Sequence, residues 1–375
     1  MTNSIKTDKP KRILFSGYAP VHFLCFLPIY ELLKNDPRVE VWLSGGFRNK
    51  DKDETTFNIE GFYDPYPVDK DRVIPIEQAR EEDFDVLVCA HLSDTLFPRS
   101  AKKTVQIFHG VSFKNLAVRE KALRFDVLCL PGPYHAELFR SQGFIRKGGS
   151  ECLLTGFAKT DALINETLDR NELLRGLDVD PALPTLLFAP TGDKHNALES
   201  MGEKLISSIS DAGKWNLLIK PHDHPKNVIN WFERLKPFEN ERVKVVRDLN
   251  VIPYLHAADL LITDASSVSV EYTLMDRPII FLEIPKLMAK ITKRAEALDL
   301  DSRRIGTIID KKADIVETIT ESLAQKEQRS ELRREVASQV FYKPGGASDR
   351  IKGVILHAAE IEKELPDDVK VLLPE

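Results

Sequence analysis

Two histidines follow short apolar runs of the sequence, in the segments VQIFHG and LLIKPH. His109 ends the first segment's apolar run and His222 comes just after the second. A neutral imidazole takes a proton from a hydroxyl near neutral pH, and an imidazole N–H stabilises a phosphoryl oxygen. We therefore expect His109 to be a general base and His222 to donate to a phosphate. The alternative for His109 is a half-buried ring bonded to a loop carbonyl, and the alternative for His222 is capping of its loop.

A glycine and two lysines accompany these histidines. Gly110 follows His109 directly, where it allows the backbone to turn or to approach a ligand. Lys114 lies shortly after this glycine, and Lys220 precedes His222. Both lysines are candidates to balance the negative charge of a phosphate.

His222 and His224 form a His-x-His pair, which raises the question of a zinc site. Two histidines without a cysteine, histidine or carboxylate set at a familiar spacing are a weak signal for zinc. We therefore expect no metal, and His224 remains a further candidate ligand contact.

The segment DLLITDASSVSVEYTLMDRPIIFLE carries the third group of candidates. An apolar strand stops at Asp264, and Ser266 and Ser267 then open a run of helical character. Hydroxyls cap a helix start, and its free N–H groups and dipole favour a phosphate. Glu271 lies about one turn further along, where a carboxylate can accept hydrogen bonds from a ribose. The segment predicts a diphosphate site, and the alternative of simple helix capping leaves Glu271 without a role.

The candidates lie among apolar runs that alternate with longer helical patterns. This alternation is typical of parallel strands covered by helices, so the predicted class is α/β. Residues 47–82 combine charge, proline and aromatic residues with little period, which predicts an irregular excursion. The predicted strands are 12–17, 39–44, 85–90, 104–108, 126–130, 151–155, 185–190, 215–221, 243–248, 259–264 and 278–283.

The length of 375 residues indicates two domains. We expect a Rossmann-like acceptor-side domain over 1–165 and a Rossmann-like nucleotide-donor domain over 166–340. The remaining 341–375 should be a helical segment that packs back on the first domain. Two facing domains with a cleft at the carboxyl ends of their strands make a GT-B-like architecture.

Composition excludes several partners and compartments. The chain is 42% hydrophobic and 30% charged with a net charge of −5, so nucleic acid is not expected. The four cysteines are scattered, which predicts buried thiols in a reducing compartment. The first apolar segment contains proline, histidine and glycine, which argues against a signal peptide or a membrane span.

Several of these motifs together resemble the CDP-glycerol glycerophosphotransferase family of teichoic-acid and capsule polyol-phosphate transferases. The long Asp-Ser-Ser segment is the most specific match and the His-Gly segment is next. The similar stretches, in order over about 104–351, are QIFHGVSFKN, LLTGFAKTDAL, LLFAPTGD, LLIKPHDHP, DLNVIPYLHAADLLITDASSVSVEYTLMDRPIIF and FYKPGGASDRI.

The resemblance implies transfer of glycerol phosphate, or a related polyol phosphate, from a CDP-activated donor to an acceptor hydroxyl. CMP would be released, and no cofactor would be required. It implies that His109 and His222 are essential. The residues that it assigns to the donor's phosphates and ribose are Asp264, Ser266, Ser267 and Glu271.

The chain departs from the family pattern at three places. Ala158 and Lys159 stand where Pro-Arg is usual, and Gly192 stands where an aromatic residue commonly follows the segment APT. Val-Ser follows the His-Gly pair in place of the usual proline pattern. The departures bear on the identity of donor and acceptor, and Lys159 and Thr191 are further candidate contacts.

The resemblance also implies a glycan or lipid-linked acceptor, and hence a cytoplasmic protein at the inner face of the membrane. In the segment PKLMAKITKRAEAL, apolar positions lie beside Lys290, Lys293 and Arg294, a pattern that favours an anionic membrane surface. Such a stripe is more often an ordinary surface helix.

Two other functions are compatible with the same residues. A glycosyltransferase of this architecture that uses a nucleotide sugar would need the same serines and Glu271. A nucleotide-binding module without turnover would bind nucleotide but would not need His109. The two histidines at strand ends argue against this module, because binding alone does not need a base.

Overall fold

The structure is a computed structural model that describes residues 9–50, 55–93, 96–111, 118–222, 229–292 and 300–374. The chain divides into two compact units. The first unit contains the described parts of Met1–His109, Ala117–Asp161 and Phe341–Glu375. The second contains those of Gly110–Leu116 and Ala162–Val340.

Short strands supply the framework of both units. In chain order they are β1 Lys11–Gly17, β2 Val39–Gly45, β3 Phe47–Lys50, β4 Thr55–Asn58, β5 Val73–Ile74, β6 Asp83–Cys89, β7 Ser100–Gln106, β8 Val127–Leu130, β9 Glu151–Leu154, β10 Thr185–Phe188, β11 Asn216–Ile219, β12 Val243–Val245, β13 Leu260–Thr263, β14 Ile279–Leu282, β15 Thr307–Ile309 and β16 Lys370–Val371.

Helices connect most of these strands. The α-helices are α1 Pro20–Leu33, α2 Ile76–Ala79, α3 Pro133–Ser141, α4 Arg170–Gly176, α5 Glu203–Ala212, α6 Trp231–Leu235, α7 Ile252–Ala257, α8 Val268–Tyr272, α9 Pro285–Thr292, α10 Ile315–Ala324, α11 Ser330–Val340 and α12 Ala347–Ala358. A π-helical turn at Leu198–Gly202 leads into α5. Turns of 3-10 helix lie at Lys70–Arg72, Glu120–Arg124, Ala158–Leu163, Lys236–Phe238, Thr273–Met275 and Leu300–Ile305.

The sheet of the first unit has the strand order β16-β9-β8-β7-β6-β1-β2-β5. Its neighbouring strands are parallel except β16 and β9. Strand order reverses between β1 and β6, since β2 and β5 lie on one side of β1 and the later strands lie on the other. Ligands of open parallel sheets bind at such a switch point, beyond the carboxyl ends of the strands.

The sheet of the second unit has the order β12-β11-β10-β13-β14-β15 and is parallel throughout. This is the 3-2-1-4-5-6 order of dinucleotide-binding folds, with its switch point between the first and fourth strands. Here these strands are β10 and β13. Every residue of β10, β11, β13 and β14 is buried, as expected for parallel strands covered on both faces.

The predicted α/β class with parallel sheets is confirmed, and each predicted strand is present with shifted ends. The sequence did not reveal β3, β4, β5, β15 and β16, which have only two to four residues each. Such runs are too short to show a period. The excursion predicted over 47–82 contains a hairpin of β3 and β4, strand β5 and helix α2, so the prediction that it is irregular was wrong in part.

The end of the chain is bound to the first unit by buried polar groups. The backbone N–H groups of Ala347 and Ser348 donate to the carboxylate of Asp161 at 3.0 and 2.7 Å. Arg350 Nε donates to the Thr155 carbonyl oxygen at 2.6 Å. The segments GFAKTDAL and FYKPGGASDRI therefore meet in the fold, where Asp161 caps the start of α12.

Helix α9 contains the first part of the segment PKLMAKITKRAEAL, whose pattern favours contact with an anionic membrane surface. Leu287 is fully buried in the core of the second unit. Lys290 Nζ donates to Asp193 Oδ1 at 2.7 Å. Both side chains thus serve the fold of this unit. The other charged residues of the stripe, Lys293 and Arg294, lie outside the described residues.

No helix in the described part of the chain is long and apolar enough to span a bilayer. The four cysteines are buried thiols, as predicted. Burial raises the pKa of Cys129 to about 12 and that of Cys152 to about 11. These thiols are therefore neutral and serve as small apolar core residues.

Candidate active site

Three histidines lie together beyond the carboxyl ends of β1, β6 and β7 in the first unit. We call His22, His91 and His109 the histidine cluster. The ring centroid of His22 is 4.7 Å from that of His109 and 5.2 Å from that of His91. The Tyr18 ring lies 4.6 Å from His22 and 4.9 Å from His91. The cluster thus occupies the switch point at which an open sheet binds ligands.

The orientation of His109 is fixed by one hydrogen bond. Its Nδ1 contacts the carbonyl oxygen of Ala90. Because a carbonyl oxygen only accepts, Nδ1 must carry the proton in this contact. In the neutral ring Nε2 then holds the lone pair, which is the arrangement that a general base requires.

The other two histidines are also held in single tautomers. The Tyr18 backbone N–H donates to His22 Nδ1 at 3.1 Å. His91 Nε2–H donates to the Ser16 carbonyl oxygen at 3.0 Å, and the Ser93 N–H donates to His91 Nδ1 at 3.1 Å. Since both Nδ1 atoms accept, the proton of each ring is on Nε2.

The surroundings keep the cluster neutral. Burial lowers the pKa of His22 well below 6.5 and that of His91 to about 3, and a charge on His109 would lower both further. The surrounding protein also lowers the pKa of His109, with the Ala90 contact acting in the opposite direction and Lys159 adding to the lowering. His109 nevertheless keeps an exposed surface. It is therefore the ring of the cluster placed to meet a substrate.

The sharp turn after β7 is made by Phe108, whose φ is 56°. The Phe108 N–H donates to Gln106 Oε1 at 2.8 Å, and Gln106 Nε2 donates to the His91 carbonyl oxygen at 2.6 Å. Gly110 does not have a positive φ, and a Cβ placed on it would meet no atom of the described residues within 4 Å. The left-handed residue of this turn is thus Phe108, stabilised by Gln106, and close approach of a ligand to Gly110 stays a prediction.

Sequence reasoning found His109 and missed His22 and His91. His91 follows the apolar run DVLVCA much as His109 follows VQIF, so the same signal was available for it. His22 lies in α1, where only the packing of the helix brings it to the strand ends.

In the second unit Asp264 links the two strands of the switch point. Its Oδ1 accepts the backbone N–H of Thr191 at 2.8 Å and of Ala265 at 2.6 Å. Its Oδ2 accepts the N–H of Ala197 at 2.8 Å. The carboxylate is fully buried and ties the loop after β10 to the loop after β13. Asp264 therefore fixes the position of these loops, and its contact with a ligand stays a prediction.

The ring of His222 rests on the backbone of Gly192. A Cβ on residue 192 would lie 2.7 Å from His222 Nδ1 and 2.8 Å from its Cγ, which is closer than real Cβ atoms approach. His222 is exposed, at the end of the segment that follows β11. The absence of a side chain at Gly192 thus gives His222 its place beside Thr191.

Gly192→Ala should therefore displace the His222 ring. We expect turnover to fall, with little change in the free energy of unfolding, because an exposed ring can move aside. Kinetics and thermal unfolding of the variant measure the two effects. Gly176→Ala is the matched control, since a Cβ there meets nothing within 4 Å. Equal activity of both variants would show that the position of His222 does not matter.

The remaining donor-site candidates of the second unit are largely buried. Ser267 stands at the N-cap of α8, and its side chain makes no capping hydrogen bond. The Ser266 carbonyl oxygen accepts the Ser269 hydroxyl at 2.8 Å. Glu271 is 1% exposed and Lys220 is 6% exposed. Simple capping by Ser267 is thus ruled out, and contact of these residues with a nucleotide stays a prediction.

The last candidates are Lys159, Lys114 and His224. Lys159 is buried in the first unit, near enough to His109 to affect its pKa. Lys114 and His224 lie outside the described residues. Among the residues that are described, no group of three or more His, Cys, Asp or Glu is arranged to hold a metal ion.

A sequence model of the family described as CDP-glycerol:poly(glycerophosphate) glycerophosphotransferase matches residues 85–357. The chain belongs to this family. The glycerophosphotransferase match begins in β6 and includes His91, His109 and all the candidates of the second unit. It does not include His22.

Two curated relatives are similar in sequence to part of this chain. The chain is 28% identical over 161 residues to the teichoic acid glycerol-phosphate primase of Bacillus spizizenii. This match covers 42% of this chain and 40% of the primase. It is 28% identical over 194 residues to the teichoic acid ribitol-phosphate polymerase TarL of Staphylococcus aureus, 49% of this chain and 32% of TarL. The chain thus spans less than half the length of these relatives.

The wall teichoic acid polymerase TagF has a similar fold. Its solved structure matches with a TM-score of 0.66 at 19% identity, over 95% of this chain and 91% of that chain. At this identity the likeness concerns the fold alone.

Proposed function

We propose that this protein transfers glycerol phosphate, or a related polyol phosphate, from a CDP-activated donor to a hydroxyl of a glycan or lipid-linked acceptor. The reaction would serve cell-envelope polymer synthesis. The observation that carries this proposal is the state of His109, which is neutral and exposed with Nδ1 bound to Ala90. Family membership supplies the donor class.

In the proposed reaction the acceptor oxygen attacks the β-phosphorus of the donor. A new P–O bond forms as the bond from that phosphorus to the bridging oxygen breaks, and CMP leaves with the bridging oxygen. The acceptor proton passes to His109 Nε2. A general base of this kind accelerates a reaction by about 10² to 10⁴.

The second unit would hold the donor. His222 is exposed beside Thr191 and Gly192, where an imidazole can donate to a phosphoryl oxygen. Asp264 keeps this loop in place through three backbone N–H groups. A loop held in place in this way can contact a phosphate without rearranging during the reaction.

We propose that no cofactor is required, since His109 would act as the base and the candidate side chains of the second unit would contact the phosphates. We also propose that the protein works in the cytoplasm, in peripheral contact with the membrane that carries a lipid-linked acceptor. The departures from the family pattern at Lys159 and Gly192 would affect which donor and acceptor are used.

The test is release of CMP by the purified protein. CDP-glycerol, CDP-ribitol and a panel of nucleotide sugars are offered with candidate acceptors. We expect CMP from a CDP-polyol. A nucleoside diphosphate released from a sugar donor would instead show a glycosyltransferase, and nucleotide binding without turnover of any donor would show a non-catalytic module.

The pH dependence should reflect the lowered pKa of His109. The neutral ring is the active form, so kcat/KM should be constant near neutral pH and should fall only below the ordinary histidine value of 6.5. Initial rates from acid to neutral pH measure this limb. An acid limb at or above pH 6.5 would contradict the assignment of the base.

Stability must be measured over the same pH range. His22 and His91 are buried as neutral rings, and unfolding exposes them to protonation. The first unit therefore loses stability as the pH falls below 6.5, because the unfolded chain then binds more protons. Thermal unfolding at each pH separates this loss from titration of the base.

A further inference from the structure

We propose that His22 is a positioning residue for His109, holding its ring so that Nδ1 donates to Ala90 and Nε2 is left to accept the acceptor proton. This inference rests on the proposed function for its catalytic meaning. The contact between His22 and His109 is a feature of the fold and does not depend on that function. His22 also lies outside the part of the chain that matches the family.

The packing of α1 fixes where the His22 ring lies. A Cβ on Gly17 would be 2.9 Å from His22 Cβ, so the helix approaches β1 more closely than a side chain at residue 17 would allow. The Tyr18 N–H then holds His22 Nδ1 at 3.1 Å. His22 is 2% exposed, and its ring therefore has little freedom to rotate.

His22 and His109 meet ring against ring. The planes are inclined by 62° and the centroids are 4.7 Å apart, which is an edge-to-face arrangement. Ala90 fixes one atom of His109, and a single hydrogen bond allows a ring to pivot about it. The His22 ring opposes this pivot, so the two contacts together define the direction of Nε2.

A second effect of His22 is to exclude water from the cluster. Among the described residues, the charged groups that affect the cluster are cations: Arg48 lies 5.2 Å from the centre of the Tyr18 ring, and Arg124 and Lys159 act on His91 and His109, respectively. Removing the His22 ring would admit water, which screens these cations and solvates an imidazolium. The pKa of His109 should then rise.

The first test is a histidine NMR titration of the full-length protein with ¹⁵N-labelled rings. In His22→Ala we expect a higher pKa for His109 and a new population protonated on Nε2. In His22→Phe, which keeps an aromatic wall, the pKa should stay low with Nδ1 protonated. The matched control is His135→Ala, which removes another buried histidine of the first unit, one whose Nδ1 has no hydrogen-bond partner among the described residues.

The second test is steady-state kinetics of the same variants. His22→Ala should lower kcat by about 10- to 100-fold with a smaller effect on KM, as expected for a misplaced base. His22→Phe should restore most of the rate, and His135→Ala should keep the wild-type rate.

Two results would overturn the proposal. One is an unchanged pKa and tautomer of His109 in His22→Ala, and the other is an equal change in His135→Ala, which would indicate general loosening of the unit. If the wild-type protein releases no CMP from any donor, the proposed function fails, but the titration still decides whether His22 positions His109.

Discussion

Replacing His109 with alanine should lower the rate of CMP release by about 10² to 10⁴, which is the usual contribution of a general base. The side chain is exposed and its hydrogen bond to Ala90 is local, so the free energy of unfolding should change little. Nucleotide binding should also be preserved, because most of the candidate donor contacts belong to the second unit. The measurements are initial rates, thermal unfolding and calorimetric titration with CMP.

His357→Ala is the matched control for this variant. His357 lies in the last turn of α12 in the same unit, where Nδ1 contacts the Glu362 carbonyl oxygen at 3.2 Å. We expect a wild-type rate. A His109→Ala protein that keeps most of its activity would show that another group takes the proton, and His222 would be the first residue to replace.

Many of the candidate residues in each unit could be predicted because they lie at strand ends. Periodicity located β7, β11 and β13, and the residues that follow parallel strands lie at one edge of a sheet. His109, His222 and Asp264 were found in this way. Their chemistry could be named because few residue types titrate near neutrality or stabilise a phosphate.

The rest could not be predicted because it depends on packing between distant parts of the chain. His22 reaches the cluster through the close approach of α1 to Gly17. The contact of Asp161 with Ala347 and Ser348 joins segments that no period connects. The sequence assigned Asp264 to the donor site but did not show that its oxygens accept three backbone N–H groups of its own unit. Sequence identifies an important carboxylate more readily than what it binds.

Asp264→Asn should destabilise the second unit by about 2 to 4 kcal/mol. The amide has the size of the carboxylate, but its NH₂ group must face either the N–H of Ala197 or those of Thr191 and Ala265. A buried donor then faces a donor, and at least one N–H loses its partner. Urea unfolding followed by tryptophan fluorescence measures this loss.

The fluorescence reports mainly on the second unit, since Trp215 and Trp231 are buried in its core. Asp314→Asn is the control. Asp314 accepts the N–H groups of Val316 and Glu317 at 2.9 and 3.1 Å at the start of α10, and asparagine caps helices about as well as aspartate. Its unfolding free energy should stay within about 0.5 kcal/mol of wild type.

In Asp264→Asn we expect both activity and stability to fall, whereas in His109→Ala we expect only activity to fall. If the loop that carries Gly192 is released, the His222 ring loses the backbone against which it packs. We therefore expect weaker CMP binding and a rate of CMP release lower by about 10². A variant that unfolds like wild type and binds CMP normally, yet does not turn over, would show that Asp264 touches the reacting groups directly. Loss of binding together with stability would place its role in building the loop that receives the donor.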